Sequence, residues 1–111
     1  MKGTMLIYRP GSQSGERREF DHPPELEELQ AALDGGYLES VPYFQSIDVD
    51  GTRHTCWALC DEEGKLKHLD INLHATMLWE QSLRRLGTHV DDVLVGPVAV
   101  LFGDDEFMEA L

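Results

Sequence analysis

Apolar positions in this chain recur with two different periods, and the switches between them lay out the elements. Met5 to Arg9 reads as a short strand. Pro10-Gly11-Ser12-Gln13-Ser14-Gly15 follows as a loop, because these residues break regular structure. Arg17 to Phe20 returns as a second strand, and Asp21-His22-Pro23-Pro24 stops it. Leu26, Leu29 and Leu33 then fall at helical spacing and predict a helix near 25–34 with these leucines inward. Pro24 suits its first turn, Glu25, Glu27 and Glu28 suit its dipole, and Gly35-Gly36 ends it.

Tyr37 to Val49 reads as extended, with Pro42 marking a kink, bulge or edge. Asp50-Gly51 is the strongest hairpin signal, since a type I′ turn needs positive φ at both central residues. The pattern therefore predicts paired strands near 38–48 and 53–60. Asp61-Glu62-Glu63-Gly64 is a further turn, followed by a short strand at Lys65 to Leu69. Asn72 is a good N-cap for a helix near 73–86, whose apolar face is Leu78, Trp79, Leu83 and Leu86. Arg84 and Arg85 suit the end of that helix, and Gly87 stops it. The valine-rich run 93–102 predicts a buried central strand interrupted at Gly96-Pro97. Asp104 to Leu111 adds a short acidic helical turn.

The order ββαββ(β)αβ predicts a single α+β domain over residues 1–111. Two helices are expected on one face of a mainly antiparallel sheet of about four to six strands. The expected core is Leu6, Leu26, Leu29, Leu33, Val41, Leu59, Leu78, Leu83, Val98 and Val100.

Composition changes this picture in one respect, charge. A hydrophobic share of 41% is ordinary for a globular chain and excludes a disordered tail. No apolar run approaches the ~18 residues of a membrane span, and the N-terminal apolar core is too short for a signal peptide. The net charge is −12, which opposes non-specific binding to nucleic acid or anionic membrane. The excess is confined to two stretches without a single base. Residues 24–51 carry Glu25, Glu27, Glu28, Asp34, Glu39, Asp48 and Asp50; residues 87–111 carry Asp91, Asp92, Asp104, Asp105, Glu106 and Glu109.

Several ordered fragments resemble a known family. They are Tyr8-Arg9-Pro10-Gly11, Leu26-Glu27-Glu28-Leu29-Gln30 and Gly35-Gly36-Tyr37-Leu38-Glu39. Cys60-Asp61-Glu62-Glu63-Gly64-Lys65-Leu66, Leu69-Asp70-Ile71-Asn72-Leu73-His74-Ala75 and Val95-Gly96-Pro97-Val98-Ala99-Val100 follow. Together they resemble the phage- and mobile-element-encoded domain-of-unknown-function family numbered thirty-eight forty-six. The resemblance covers about residues 4–102 and leaves 103–111 as an acidic tail. Relatives often carry asparagine where this chain has Cys60. The resemblance implies a phage, prophage or plasmid origin and a small stand-alone domain in the cytoplasm of a bacterial host. It brings no activity, cofactor or catalytic residue with it.

The residues themselves offer little catalytic chemistry. His54, Cys56 and Cys60 share a strand face, with His68 and His74 following, but the paired ligands of a zinc knuckle are missing. Cys56 and Cys60 lie too far apart along a strand to bond to each other. Asp48-Val49-Asp50-Gly51 lacks the remaining calcium ligands, and Trp57 stands where the loop needs glutamate. Ser40, Ser46, Ser82 and Cys60 sit in no nucleophile signature, and His22 and His89 are isolated. No phosphate-cradling loop is present. The chain is therefore expected to be non-enzymatic, without metal or cofactor.

Two functional readings remain. In the first, acidic surface residues Glu25, Glu27, Glu28, Asp104, Asp105, Glu106 and Glu109 bind a protein partner. A basic, nucleic-acid-binding host or phage protein fits, with carboxylates standing in for DNA phosphates. The bland counterpart is a merely solubilising face. This reading needs the first helix and the C-terminal tail on one side of the fold. In the second reading, Arg9, Arg17, Arg53, Lys65, Arg84 and Arg85 hold the phosphates of a sequestered nucleotide, with Trp57 or Tyr43 stacking. Trp57 and Trp79 are otherwise expected in the core. Tyr43 and Phe44 are adjacent, so one must point outward, either as a contact or beneath a helix. A homo-oligomer is compatible with either reading.

Overall fold

The computed structural model describes residues 1–111. In chain order the elements are β1 (Gly3–Tyr8), β2 (Glu16–Phe20), α1 (Leu26–Ala32), β3 (Leu38–Ser40) and β4 (Ser46–Val49). These are followed by β5 (Thr52–Thr55), β6 (Trp57–Asp61), α2 (Leu73–Arg85), β7 (Val98–Gly103) and α3 (Asp105–Glu109). Five strands form one antiparallel sheet in the order β2-β1-β7-β6-β3, and β4 pairs with β5 as a separate ribbon. The α+β class expected from the pattern holds. No helix is long and apolar enough to cross a membrane.

The central strands explain the layering. β1 and β7 are almost unbroken apolar runs, paired from Gly3↔Gly103 to Tyr8↔Val98. Successive strand side chains point to opposite faces, so such runs need cover on both. Met5, Ile7, Leu59, Ala99 and Leu101 pack with Leu29, Ala32 and Leu33 of α1 and with Phe107 of α3. Leu6, Tyr8, Ala58, Val98 and Val100 pack with Ala75, Trp79 and Leu83 of α2 and with Ile47 of the ribbon. The two main helices, expected together on one face, therefore divide between the faces. A bare face would forfeit about 25 cal/mol for every Å² of apolar surface left in water.

The expected strands 38–48 and 53–60 both break. The main sheet pairs Ser40 with Leu59, and the ribbon pairs Ser46 with Thr55. Residues 41–45 thus oppose 56–58, two extra residues on the first arm, and this bulge folds the ribbon over the sheet. The His54 and Phe102 rings then lie 4.3 Å apart between centroids. Side chains of α2 hold the bulge. Trp79 Nε1–H donates to the Pro42 carbonyl at 2.8 Å, and Ser82 Oγ–H donates to the Tyr43 carbonyl at 2.8 Å. Tyr43 itself sits at φ +62°, in the left-handed region.

Other boundaries shift for local reasons. Residues 65–69, expected as a strand, form a turn in which Lys67 N–H reaches the Glu63 carbonyl and Leu69 N–H the Gly64 carbonyl. The final strand starts at Val98 rather than Val93. Before it, Gly96 N–H bonds the Asp70 carbonyl and the Leu94 carbonyl accepts from Asn72 N–H, so these backbone groups are satisfied outside the sheet. α1 ends as expected, with Gly35 at φ +84° donating back to the Gln30 carbonyl.

Two core assignments need correction. Leu26 is 59% exposed, because it occupies the first position of a two-turn helix whose packed side is Leu29, Ala32 and Leu33. Leu78 is only half-buried. The inner face of α2 is Ala75, Thr76, Trp79, Ser82 and Leu83, and Leu86 is exposed. Thr76 and Ser82 take inward positions because their hydroxyls bond backbone groups of neighbouring segments.

Candidate functional site

α1 and α3 lie against the same face of the sheet. Each is anchored by a few apolar side chains and turns its acids outward. Phe107 is fully buried beneath α3, and its ring lies 6.2 Å from that of Phe20 at the end of β2. The Phe20 ring in turn meets His22 at 5.5 Å, and His22 Nε2 lies 3.4 Å from Glu28 Oε1 of α1. A continuous line of contacts, Phe107–Phe20–His22–Glu28, therefore joins the two acidic helices. Glu25, Glu27, Asp104, Asp105, Glu106 and Glu109 are exposed and Glu28 is half-buried.

Two of these carboxylates are engaged within the chain. Glu28 accepts from the Glu25 N–H at 3.0 Å, closing the first turn of α1. That bond, and His22 beside it, hold its carboxyl below the ordinary value. Asp104 caps α3 by accepting from Phe107 N–H at 2.9 Å and also takes the Lys2 N–H at 2.8 Å. Its carboxyl is likewise lowered, first by the Phe107 bond. Glu25, Glu27, Asp105, Glu106 and Glu109 have no ion-pair partner. The positive groups near this face are the N-terminus, 4.0 Å from Asp104, Lys2, whose charge also lowers Asp104, and Arg18, which stands opposite Met5 in the β1–β2 register. His22, paired with Asp21 and Glu28, is raised above its ordinary value.

The bases of the nucleotide reading do not converge. Arg9 bonds Glu16 at 2.8 Å and Asp34 at 3.1 Å. Arg17 bonds Glu19 at 2.6 Å and Asp50 at 3.4 Å. Arg53 and Arg85 meet on opposite oxygens of Asp48, at 3.0 and 2.8 Å. Lys65 pairs with Asp92, and Arg84 lies along its own helix with Nε 3.4 Å from the Glu80 carbonyl. Trp57 packs on the α1/α3 side and donates its indole N–H to Ser40 Oγ at 2.8 Å. Of the adjacent aromatics, Phe44 is the inward one at 2% exposure and Tyr43 the outward one at 55%.

The histidines and cysteines stay apart. His54 stacks on Phe102, His74 meets Tyr8 edge-on, and no three His, Cys, Asp or Glu side chains are grouped as a bound cation requires. Burial pushes the Cys56 thiol up to about 12 and Cys60 to about 11, the reverse of nucleophile activation. The residues that sequence reasoning missed are those holding backbone from a distance. Asn72 reads as a cap, Trp79 as a core aromatic and Ser82 as a serine outside any nucleophile signature; their side chains tie loops together.

Fold and surface together define a small α+β domain with both sheet faces covered and an acidic side on which Glu25, Glu27, Asp105, Glu106 and Glu109 have no ion pair. The family model described as Domain of unknown function (DUF3846) matches residues 1–110, and the chain belongs to that family. No curated protein and no solved structure matches the chain significantly.

Proposed function

We propose that this protein is a non-enzymatic accessory domain of a phage or other mobile element that acts by binding a basic protein through the α1/α3 face. The observation that carries the reading is the shared placement of the two helices, which brings the acids of α1 and those of α3, one group from each base-free stretch, onto one side. Six of the nine bases are already paired with carboxylates, and of the other three only Lys2 and Arg18 act on this face, against five acids without an ion pair. Carboxylates spread over two helices suit a partner whose arginines and lysines normally meet phosphates, such as a nucleic-acid-binding protein of the host. The scattered, paired bases do not favour the nucleotide reading.

The test is affinity capture from host extract with the native chain and with a variant carrying Glu25→Gln, Glu27→Gln, Asp105→Asn, Glu106→Gln and Glu109→Gln. The reading expects basic proteins retained only by the native chain and released as salt shortens the Debye length from ~10 Å toward ~3 Å. The same proteins retained by both forms would defeat it.

A further inference from the structure

On the opposite side of the sheet, between the β3–β6 edge and residues 90–95, lies a cleft of about 270 Å³. This is just under the ~300 Å³ at which pockets for drug-sized ligands begin, so its occupant is small. Val41, Trp79 and Leu94 make an apolar floor, all of them buried. The Trp79 indole N–H is already given to the Pro42 carbonyl, so the floor has no free indole donor for an anion.

The rim determines the charge of the occupant. Asp61 is satisfied by Lys67 Nζ at 2.7 Å and by the Glu63 N–H at 2.8 Å. Asp92 holds the ammonium of Lys65, so the chain already places one alkylammonium in the lining. Glu39 and Glu62 also line the cleft and have no ion pair. Glu39 stands directly across from Cys60 in the β3–β6 register, so both side chains leave the same face of the sheet. Cys60 packs against the cluster beneath the cleft.

We infer that this cleft is a binding site for a small amphipathic cation: an ammonium on a short aliphatic stem, with the stem on Trp79 and Val41 and the charge toward Glu39 and Glu62. An anion would meet four carboxylates against one lysine in the lining. Glu39 and Glu62 are exposed carboxylates at the rim, from which a neutral apolar ligand would gain nothing. The same chemistry belongs to a free alkylamine and to a lysine side chain of another protein. The site does not depend on the acidic α1/α3 face, which lies across the sheet.

The experiment is an amide-resolved NMR titration of the full chain with n-butylamine, n-butanol and butyrate. The expected result is saturable shifts of the Ser40 and Cys60 amides and of the Trp79 indole N–H with butylamine only. Glu39→Gln/Glu62→Gln should weaken that binding at least tenfold while leaving the rest of the spectrum unchanged. A second arm uses a lysine flanked by glycines in a capped tripeptide. Tighter binding of the peptide assigns the site to a partner's lysine, and tighter binding of butylamine assigns it to a free amine. The inference is overturned if neither amine moves the cleft signals or if butanol moves them equally. It is also overturned if the double variant binds unchanged, or if α1 and α3 amides shift as strongly, which marks diffuse charge attraction.

Discussion

Asn72 Nδ2–H donates to the carbonyl oxygen of Tyr8 at 2.8 Å, across 64 residues of sequence. The same amide nitrogen donates to the Gly96 carbonyl at 2.9 Å, and the amide oxygen accepts from Ala75 N–H at 3.1 Å. One fully buried side chain thus caps α2, closes the end of β1 and fixes the approach to β7.

Asn72→Leu removes all three bonds and leaves two carbonyls facing an apolar group. Loss of the cap costs about 1 kcal/mol, and each stranded buried acceptor about 1–3 kcal/mol. The expected loss is therefore about 3–7 kcal/mol in urea unfolding. A loss below ~1 kcal/mol would show that the junction is held by packing alone.

Gly3 allows β1 to lie directly against α3. A Cβ built there would meet the Phe107 ring at 2.3 Å, and the ring is buried with little room to shift. Gly3→Ala should displace α3 and destabilise the domain by about 1–3 kcal/mol through overpacking. Hydrogen exchange should quicken in 105–109 before the sheet opens. Unchanged protection of α3 would contradict this packing.

Tyr43 and Phe44 provide a paired test of the bulge. Phe44→Ala empties a buried site and should cost about 3–5 kcal/mol. Tyr43→Ala removes an exposed ring and should change stability by less than about 0.5 kcal/mol. Similar losses for the two variants would reverse the orientation of the segment.

Both thiols are held protonated by burial, at about 12 for Cys56 and about 11 for Cys60. At pH 8 a disulfide reagent should modify the folded chain far more slowly than the chain in denaturant, and Cys60 before Cys56 because Cys60 is the less buried. Rapid stoichiometric labelling of the native protein at both positions would show that the fold opens readily around them.

Asp61 supplies a pH dependence. Burial raises its carboxyl, but the bonds from Lys67 and from Glu63 N–H outweigh this, and the value lies below that of an ordinary aspartate. A carboxyl lowered in the folded state stabilises the fold above its unfolded pKa, ~3.9, and loses that contribution as pH falls through the folded value. Chemical denaturation should therefore show stability falling below about pH 4. In Asp61→Asn the fall should be shallower. An identical acid limb in both proteins would exclude Asp61 as a contributor.

Local signals carried the element types. Helical spacing of Leu29 and Leu33, the Gly35 stop, the Asp50-Gly51 turn and the Asn72 cap all act within a few residues, so they were legible in the chain and recur in the structure. The charge segregation was legible too, since counting acids and bases needs no coordinates.

Tertiary packing decided the rest. Alternation along β1 and β7 marks two apolar faces but not which helix covers each, and that choice placed α1 beside α3 and α2 beneath the ribbon. The break at 41–45 depends on Trp79 and Ser82, nearly forty residues away, whose bonds outweigh the local preference for a continuous strand. The acidic face and the cleft exist for the same reason. Residues distant in sequence share a surface only once the two sides of one sheet have each been covered, because burying both apolar faces stabilises the chain more than any local preference opposing it.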